Sequence, residues 1–261
     1  MARLDMEMVA RGIARSRQRA KEMITAGNVT VNGITAKKAS AEVLAEDDIA
    51  SSEEEIYVGR GALKIEKATA EFGLDFTGKV CIDIGASTGG FTDFMLSRGA
   101  ERVFAVDVGH GQLAEKLRND SRVVNMEGTD IRTVSPEDMG GCADIVSVDV
   151  SFISLKLILP KMYELLREGG EAAVLIKPQF EAGRSDIGKN GIVKDRKVHL
   201  RVLREIDEFA CDTGFICEKY TFSPVKGGSG NTEYLVHLRK CSGARRVHDL
   251  KALVESAFEK L

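Results

Sequence analysis

From Val80 onward the apolar residues come in short solid runs, separated by stretches with a helical period. The runs at 80–84, 102–107, 123–126, 144–149 and 171–177 read as strands, and 89–98, 112–118, 156–167 and 197–213 read as helices. Alternation at this pitch predicts βαβ units and a mostly parallel sheet. Two more strand-like stretches follow, "FICEKYTFSP" and "EYLVHLRK", with no room for a helix between them. A parallel pair needs a long crossover, so one of the two must run antiparallel. Upstream the pattern changes. "VARGIARSRQRAKEMITAG" predicts a helix–turn–helix pair, with Gly12 as a stop, Ser16 as a cap and apolar residues at 20, 23 and 24. "NVTVNGITAKKA" predicts a hairpin turning at Asn32-Gly33. The closing stretch "LKALVESAFEKL" predicts an amphipathic helix, to which the sequence assigns no role.

Composition narrows the class. The chain has 261 residues, 43% of them apolar, enough for one large domain and a small one with real cores. No apolar run approaches the ~20 residues of a membrane span. The N-terminal stretch lacks the apolar core of a secretion signal, so a cytoplasmic protein without membrane attachment is expected. Five cysteines at 81, 142, 211, 217 and 241 form no CxxC pair, and the four histidines are spread apart. Neither a disulfide framework nor a metal site is expected.

Net charge is −3, but it is unevenly placed. Residues 1–40 hold eight Lys and Arg against three acids, and residues 41–55 hold seven acids and no base. Arg15, Arg17, Arg19 and Lys21 crowd the start of the second helix, where cations and helix-end amides can both meet phosphates. An isolated charge run of this kind is more often a solvated face.

The stretch "VCIDIGASTGGFTDFML" is a strand, a small-residue turn and a helix start, the arrangement that cradles a nucleotide. The loop Gly85-Ala86-Ser87-Thr88-Gly89-Gly90 departs from GxGxxG. Asp107 ends the next strand, 22 residues after Gly85, where an acid binds ribose hydroxyls of NAD or of S-adenosylmethionine alike. Asp83 separates the two: an acid there repels a pyrophosphate and suits an ammonium. Asp130, in "GTDIR", follows the third strand, where it can meet an adenine amino group. The plainer alternative is a tight turn with Asp130 as a helix cap. Three acids at three successive strand ends favour S-adenosylmethionine. The expected cofactor set is Asp83, Gly85, Ala86, Ser87, Gly89, Gly90, Phe91, Asp107, Val108 and Asp130.

The fourth strand end bears on the methyl acceptor. Enzymes that methylate exocyclic amines usually carry (Asn/Asp)-Pro-Pro-aromatic there, and this chain has Asp149-Val150-Ser151-Phe152. Enzymes acting on pyrimidine C5 need a cysteine, generally after a proline, and no Pro-Cys occurs. A hydroxyl acceptor remains. Lys64 in "RGALK", Asp149, Lys177 in "LIKPQFE" and Glu233 in "GNTEYL" all fall at edges facing the predicted cleft. This set is similar to the Lys-Asp-Lys-Glu tetrad of FtsJ-like ribose 2′-O-methyltransferases. A lysine can take the hydroxyl proton only if its pKa drops below ~10.4, and burial beside a second cation would push it down.

The N-terminal region resembles an S4 domain, a small RNA-binding module. The marks are Arg3-Leu4-Asp5, Ala14-Arg15-Ser16-Arg17 and Gly27-x-Val29-x-Val31-Asn32-Gly33. The resemblance implies RNA contacts from Arg3, Arg15, Ser16, Arg17, Arg19, Lys21 and Lys37. As a whole the chain resembles the hemolysin A (TlyA-type) family through "VGRGALK", "DIGASTGGFTD", "DVGHGQLAEKLRND", "DVSFISL", "KPQFEAG" and "SGNTEYL". That implies an α/β, Rossmann-like class I methyltransferase fold with a seven-stranded, mostly parallel sheet and a small N-terminal α+β S4 domain. It also implies 2′-O-methylation of cytidine in ribosomal RNA or ribosomal subunits; the sequence does not set the oligomeric state, and a monomer is the expectation. The expected division is 1–60 for the S4 domain and connector, 61–242 for the methyltransferase domain, and 243–261 for a helical tail. Two rivals are an inert rRNA-binding or hemolysin-like protein and an S4-bearing pseudouridine synthase. The intact tetrad and cofactor acids disfavour the first. The second needs a catalytic Asp in a β-rich domain, for which Asp5 lies too early.

Overall fold

A computed structural model describes residues 2–14, 17–52 and 57–261, which fall into two units, 1–56 and 57–261. In the first unit, β1 (Ala2–Arg3) leads into α1 (Leu4–Ala10), and Gly12 at φ 71° ends that turn as the pattern predicted. α2 (Arg17–Thr25) follows, and Ser16, the expected cap, lies outside the described residues together with Arg15. Ala20, Met23 and Ile24 face inward onto Leu4, Met8, Val29, Val43 and Ile49. Asn32 (φ 51°) and Gly33 (φ 78°) make the two-residue turn between β2 (Val29–Val31) and β3 (Ile34–Thr35). Both positions need positive φ, which is why an Asn-Gly pair stands there. β4 (Glu42–Val43) pairs with β1, and β5 (Ile49–Ser51) pairs with β2.

Arg11 and Asn32 organise the acidic stretch. The Arg11 guanidinium donates to the carbonyls of Leu44, Ala45 and Asp47 at 2.6–3.0 Å and to Glu7 at 2.8 Å. Asn32 donates to the Asp47 carboxylate and accepts from Asp48 N–H, both at 2.8 Å.

The second unit starts with α3 (Ala62–Phe72) and alternates β6 (Val80–Ile84), α4 (Gly90–Ser97), β7 (Arg102–Asp107), α5 (Glu115–Arg118), β8 (Val123–Glu127), β9 (Ala143–Val148), α6 (Leu159–Leu165), β10 (Leu166–Ile176), α7 (Pro178–Glu181) and α8 (Arg196–Thr213). β11 (Phe215–Phe222), β12 (Tyr234–Lys240) and α9 (Leu250–Lys260) complete it. The seven strands lie in the order β11-β12-β10-β9-β6-β7-β8, and β12 alone runs against its neighbours.

Alternate strand residues feed two cores. Ile82, Ile84, Val146, Val148, Val174 and Val236 point to one face, and Cys81, Val103, Ile145, Ala173 and Leu235 to the other. A sheet covered on both faces needs apolar residues at successive positions, which is why these strands appear as solid runs rather than alternating ones. The chain moves outward from β6 to β8, then returns to β9 on the other side of β6. That reversal opens a crevice at the carboxyl ends of β6 and β9.

The two units divide at 56/57, against the expected 60/61. Within residues 243–261, Leu250, Val254 and Ala257 of α9 are buried in the core shared with α8, and Phe258 packs edge-on against His199. Cys211 on α8 and Cys217 on β11 come together beside Asp207, with ligating atoms within 4.8 Å of one another. The Asp207 carboxylate in that group is already engaged by the Tyr220 hydroxyl and the Arg245 guanidinium.

Candidate active site

Four elements deliver the tetrad. Lys64 sits in the first turn of α3, Asp149 just past β9, and Lys177 just past β10. Glu233 precedes β12, and because β12 is antiparallel, its start lies at the same end of the sheet as the carboxyl ends of β9 and β10. The Lys64 ammonium is 2.8 Å from Glu233 Oε2 and 3.3 Å from Asp149 Oδ2. Lys177 Nζ is 2.5 Å from Asp149 Oδ1 and donates to Ser151 Oγ at 3.0 Å. These side chains are between 3% and 18% exposed.

Asp149 therefore stands between the two ammonium groups. Burial works against the charge of Lys64, but Asp149 and Glu233 outweigh it and raise its pKa above the ordinary lysine value. Burial likewise disfavours the Asp149 carboxylate, yet Lys64 and Lys177 hold its pKa below the usual range. Lys64 is thus held as a cation by its two carboxylate neighbours.

The cofactor loop leans on the same strand ends. Gly85 has φ 84°, and a Cβ there would lie 2.5 Å from the Asp149 carbonyl oxygen, so only glycine lets the loop approach this closely. The amides of Gly85 and Ala86 both donate to Val106 O. Asp107 ties two loops together: its carboxylate accepts from Ser87 N–H at 2.8 Å and Gly109 N–H at 2.7 Å. An ionised carboxylate has about four acceptor sites, so half remain for hydroxyls. Val108, 71% exposed, stands next to it. Gly89 and Gly90 form the start of α4.

Asp83, the expected ammonium partner, already has partners inside the fold. It is fully buried, and its carboxylate accepts from Thr92 N–H (2.9 Å), Thr92 Oγ1 (2.7 Å) and Ser147 Oγ (3.0 Å). Burial pushes its pKa up to about 6 against those hydrogen bonds. In this conformation it buttresses the loop from below. Phe91, 4% exposed, packs in the core against α3. Asp130 caps the short turn Ile131–Thr133 and is gripped by Arg132 at 2.6 Å, the plainer of its two readings.

The sequence reading passed over Glu127, the acid that actually ends β8. Its carboxylate accepts from the amides of Gln112 and Leu113 and fixes the turn after Asp107. The signal was an acid directly after an apolar run. It also passed over His199, which is fully buried. His199 Nε2 donates to Val193 O and Nδ1 accepts from the hydroxyl of Tyr234, the neighbour of Glu233, each at 2.9 Å. Phe152, beside Asp149, has φ 64°, is 91% exposed and packs 4.9 Å from the Phe180 ring.

In the first unit, Asp5 is buried and gathers two of the expected RNA-binding cations, Arg3 at 3.0 Å and Arg17 at 3.2 Å. Arg19 lies 3.7 Å from Glu22, while Lys21 and Lys37 are exposed.

An FtsJ-like methyltransferase family model matches residues 57–240, the span that holds the whole tetrad, and an S4 domain model matches residues 2–49. The chain belongs to the FtsJ-like methyltransferases, with an S4 domain ahead of the catalytic unit. This S4–FtsJ-like chain is 42% identical over 240 residues to the 16S/23S rRNA (cytidine-2′-O)-methyltransferase TlyA of Mycobacterium tuberculosis, covering 91% of this chain and 90% of that one. It is 48% identical over 238 residues to the candidate rRNA methyltransferase YqxC of Bacillus subtilis, covering 90% and 85%. The solved structure of a candidate hemolysin from Streptococcus thermophilus superposes with a TM-score of 0.81 at 43% identity, covering 99% and 96%. Among the described residues, no helix of this methyltransferase is long and apolar enough to cross a membrane.

Proposed function

We propose that this protein methylates the ribose 2′-hydroxyl of cytidine in ribosomal RNA, using S-adenosylmethionine. The observation that carries the reading is the unbroken run of ion pairs Lys177–Asp149–Lys64–Glu233 beside a glycine loop. The loop fits a nucleoside: no side chain larger than threonine stands between Ile84 and Phe91, and Gly85 lets the backbone approach closely. Asp107 offers acceptor sites for hydroxyls beside the apolar Val108. When bound there, S-adenosylmethionine supplies an electrophilic methyl group.

The chain's own residues handle the acceptor. A ribose hydroxyl is a weak nucleophile, and its conversion to an ether releases a proton. Lys177, buried and aligned by Asp149 and Ser151, donates to the hydroxyl oxygen and lowers the cost of passing that proton to solvent water as the O–CH3 bond forms. Lys64 and Glu233 hold Asp149 in place and balance charge. The exposed Phe152 ring offers a stacking face for an unstacked base. The S4 unit adds affinity for phosphates. The relatives' names as rRNA methyltransferases and the cytidine specificity printed for TlyA support the choice of substrate.

The test is single-turnover methyl transfer to ribosomal subunits, with ribose methylation mapped by sequencing. Lys177→Ala is expected to lose the reaction while still binding S-adenosylhomocysteine and RNA, because the loss falls on the transition state. Asp107→Ala is expected to lose S-adenosylhomocysteine affinity and keep RNA affinity. Methylation of a target carrying 2′-deoxyribose would move the acceptor from the ribose to the base.

A further inference from the structure

Gln179 extends the tetrad by one member. It lies two residues after Lys177, in the first turn of α7, and its Nε2 donates to Glu233 Oε1 at 3.3 Å. The other oxygen of Glu233 receives Lys64. This contact fixes how the Gln179 amide faces, because turning it over would set its carbonyl oxygen against a carboxylate oxygen.

In that orientation Gln179 Oε1 is buried and has no hydrogen-bond partner. Among the described residues two other buried side-chain atoms share this state, His237 Nδ1 and Arg239 Nε, and both residues cluster around Glu171, apart from the tetrad. A buried carbonyl oxygen without a donor is costly, and in a native site such an atom points to a partner that arrives with the ligand.

The chemistry of the acceptor says which donor arrives. Inside an RNA chain the 3′ and 5′ oxygens of a ribose are esterified, so the 2′-hydroxyl is its one O–H donor. The carboxylates at the site are committed: Asp149 to two ammonium groups, Glu233 to Lys64 and Gln179. Lys64 and Lys177 supply donors.

We propose that Gln179 Oε1 accepts the hydrogen of the target 2′-hydroxyl, a second contact to the group that Lys177 addresses from the oxygen side. Held between an acceptor on its hydrogen and a donor on one lone pair, the hydroxyl keeps its other lone pair free for attack. Gln179 moves no proton, since an amide is far too weak a base; it sets direction. The inference rests on the reading of the ribose hydroxyl as methyl acceptor.

The experiment is a cycle between protein and substrate. Ribosomal subunits are assembled with the target cytidine as ribose or as 2′-deoxyribose, and binding is measured to protein loaded with S-adenosylhomocysteine, which permits no turnover. Wild-type protein is expected to prefer the ribose form by about 3–10-fold, the range for one neutral hydrogen bond. Gln179→Leu and Gln179→Met, which keep bulk and lose the acceptor, are expected to lose the share of that preference that Gln179 supplies, about 3-fold or more, to keep what Lys177 supplies, and to react more slowly on the ribose form. Two variants guard against one that fails to fold, and S-adenosylhomocysteine affinity checks each. An unchanged ribose preference in a folded variant overturns the role of Gln179, as does the absence of any preference in wild type. Wild-type methyl transfer to the two substrates is scored separately: transfer to the deoxy form overturns the ribose reading itself.

Discussion

Lys64 Nζ lies 2.8 Å from Glu233 Oε2, joining residues 169 positions apart at a site where each is nearly out of solvent. The same ammonium reaches Asp149 at 3.3 Å, so one cation is shared by two buried carboxylates. A buried pair of this kind is a weak source of net stability but expensive to break from one side. Here the break leaves two acids facing each other with half their compensation gone.

Lys64→Met is therefore expected to destabilise the catalytic unit by about 3–5 kcal/mol. For a domain of this size that is a fall in melting temperature of roughly 6–20 °C. The loss should depend on pH in one direction. The pKa of Lys64 is raised in the folded chain, so its contribution is complete below the ordinary lysine value and fades as pH rises through the folded value above it. Wild type and Lys64→Met should differ by a constant amount through neutral pH and converge in strong base. Melting curves that coincide at neutral pH would show Lys64 to be a spectator.

Much of this arrangement was legible before any coordinates. Apolar runs placed β6 and β7 to the residue, because a strand buried on both faces cannot hide its composition. Asp149, Lys177 and Glu233 could be picked out beside strand-like runs, and Lys64, which lies in α3, through the resemblance to the FtsJ-like tetrad. Partnerships could not. Thr92 and Ser147 give no sign, 9 and 64 positions from Asp83, that they will saturate its carboxylate. Phe91 follows a glycine loop as a cofactor contact would, yet the period of α4 turns it inward against α3. Gln179 stands two residues after Lys177, but nothing in the sequence pairs it with Glu233. Only the return of β12 to the same end of the sheet brings Glu233 to it. Arg11 sits in a basic run like its neighbours, but a loop more than thirty residues away claims its guanidinium.

Asp83 gives a second prediction in pH. Its folded pKa of about 6 lies above the ordinary aspartate value because burial outweighs the bonds from Thr92 and Ser147. The folded chain thus holds a proton between about pH 4 and 6 that the unfolded chain has lost, and stability falls as pH rises across that window. Two pH units of such a difference amount to about 3 kcal/mol. Asp83→Asn cannot titrate. Its stability relative to wild type should therefore rise by about that amount from pH 4 to 6 and level off above. Denaturant unfolding of both proteins at half-unit pH steps measures it, and a flat difference across the window would mean that Asp83 is ionised throughout.

The last prediction separates binding from chemistry. Arg17, Lys21 and Lys37 are exposed cations in the S4 unit, and Arg17 is steadied by Asp5, whose buried carboxylate also holds Arg3. The Arg3 hydrogen bond leads the forces that bring the pKa of Asp5 down to about 2, so this anchor stays charged at any working pH. Side chains that meet phosphates release counterions, and each contact contributes ~0.7–0.9 to the slope of log affinity against log salt. Replacing all three with Gln should weaken RNA binding and reduce the slope by about 2–3. S-adenosylhomocysteine affinity should be unchanged, because its expected ligands all lie in residues 83–130. Methyl transfer should fall at limiting RNA and recover at saturating RNA, since the loss is in binding and not in the transition state. If the slope survives the triple change, these cations form a solvated face, and the phosphate contacts must come from elsewhere on the chain.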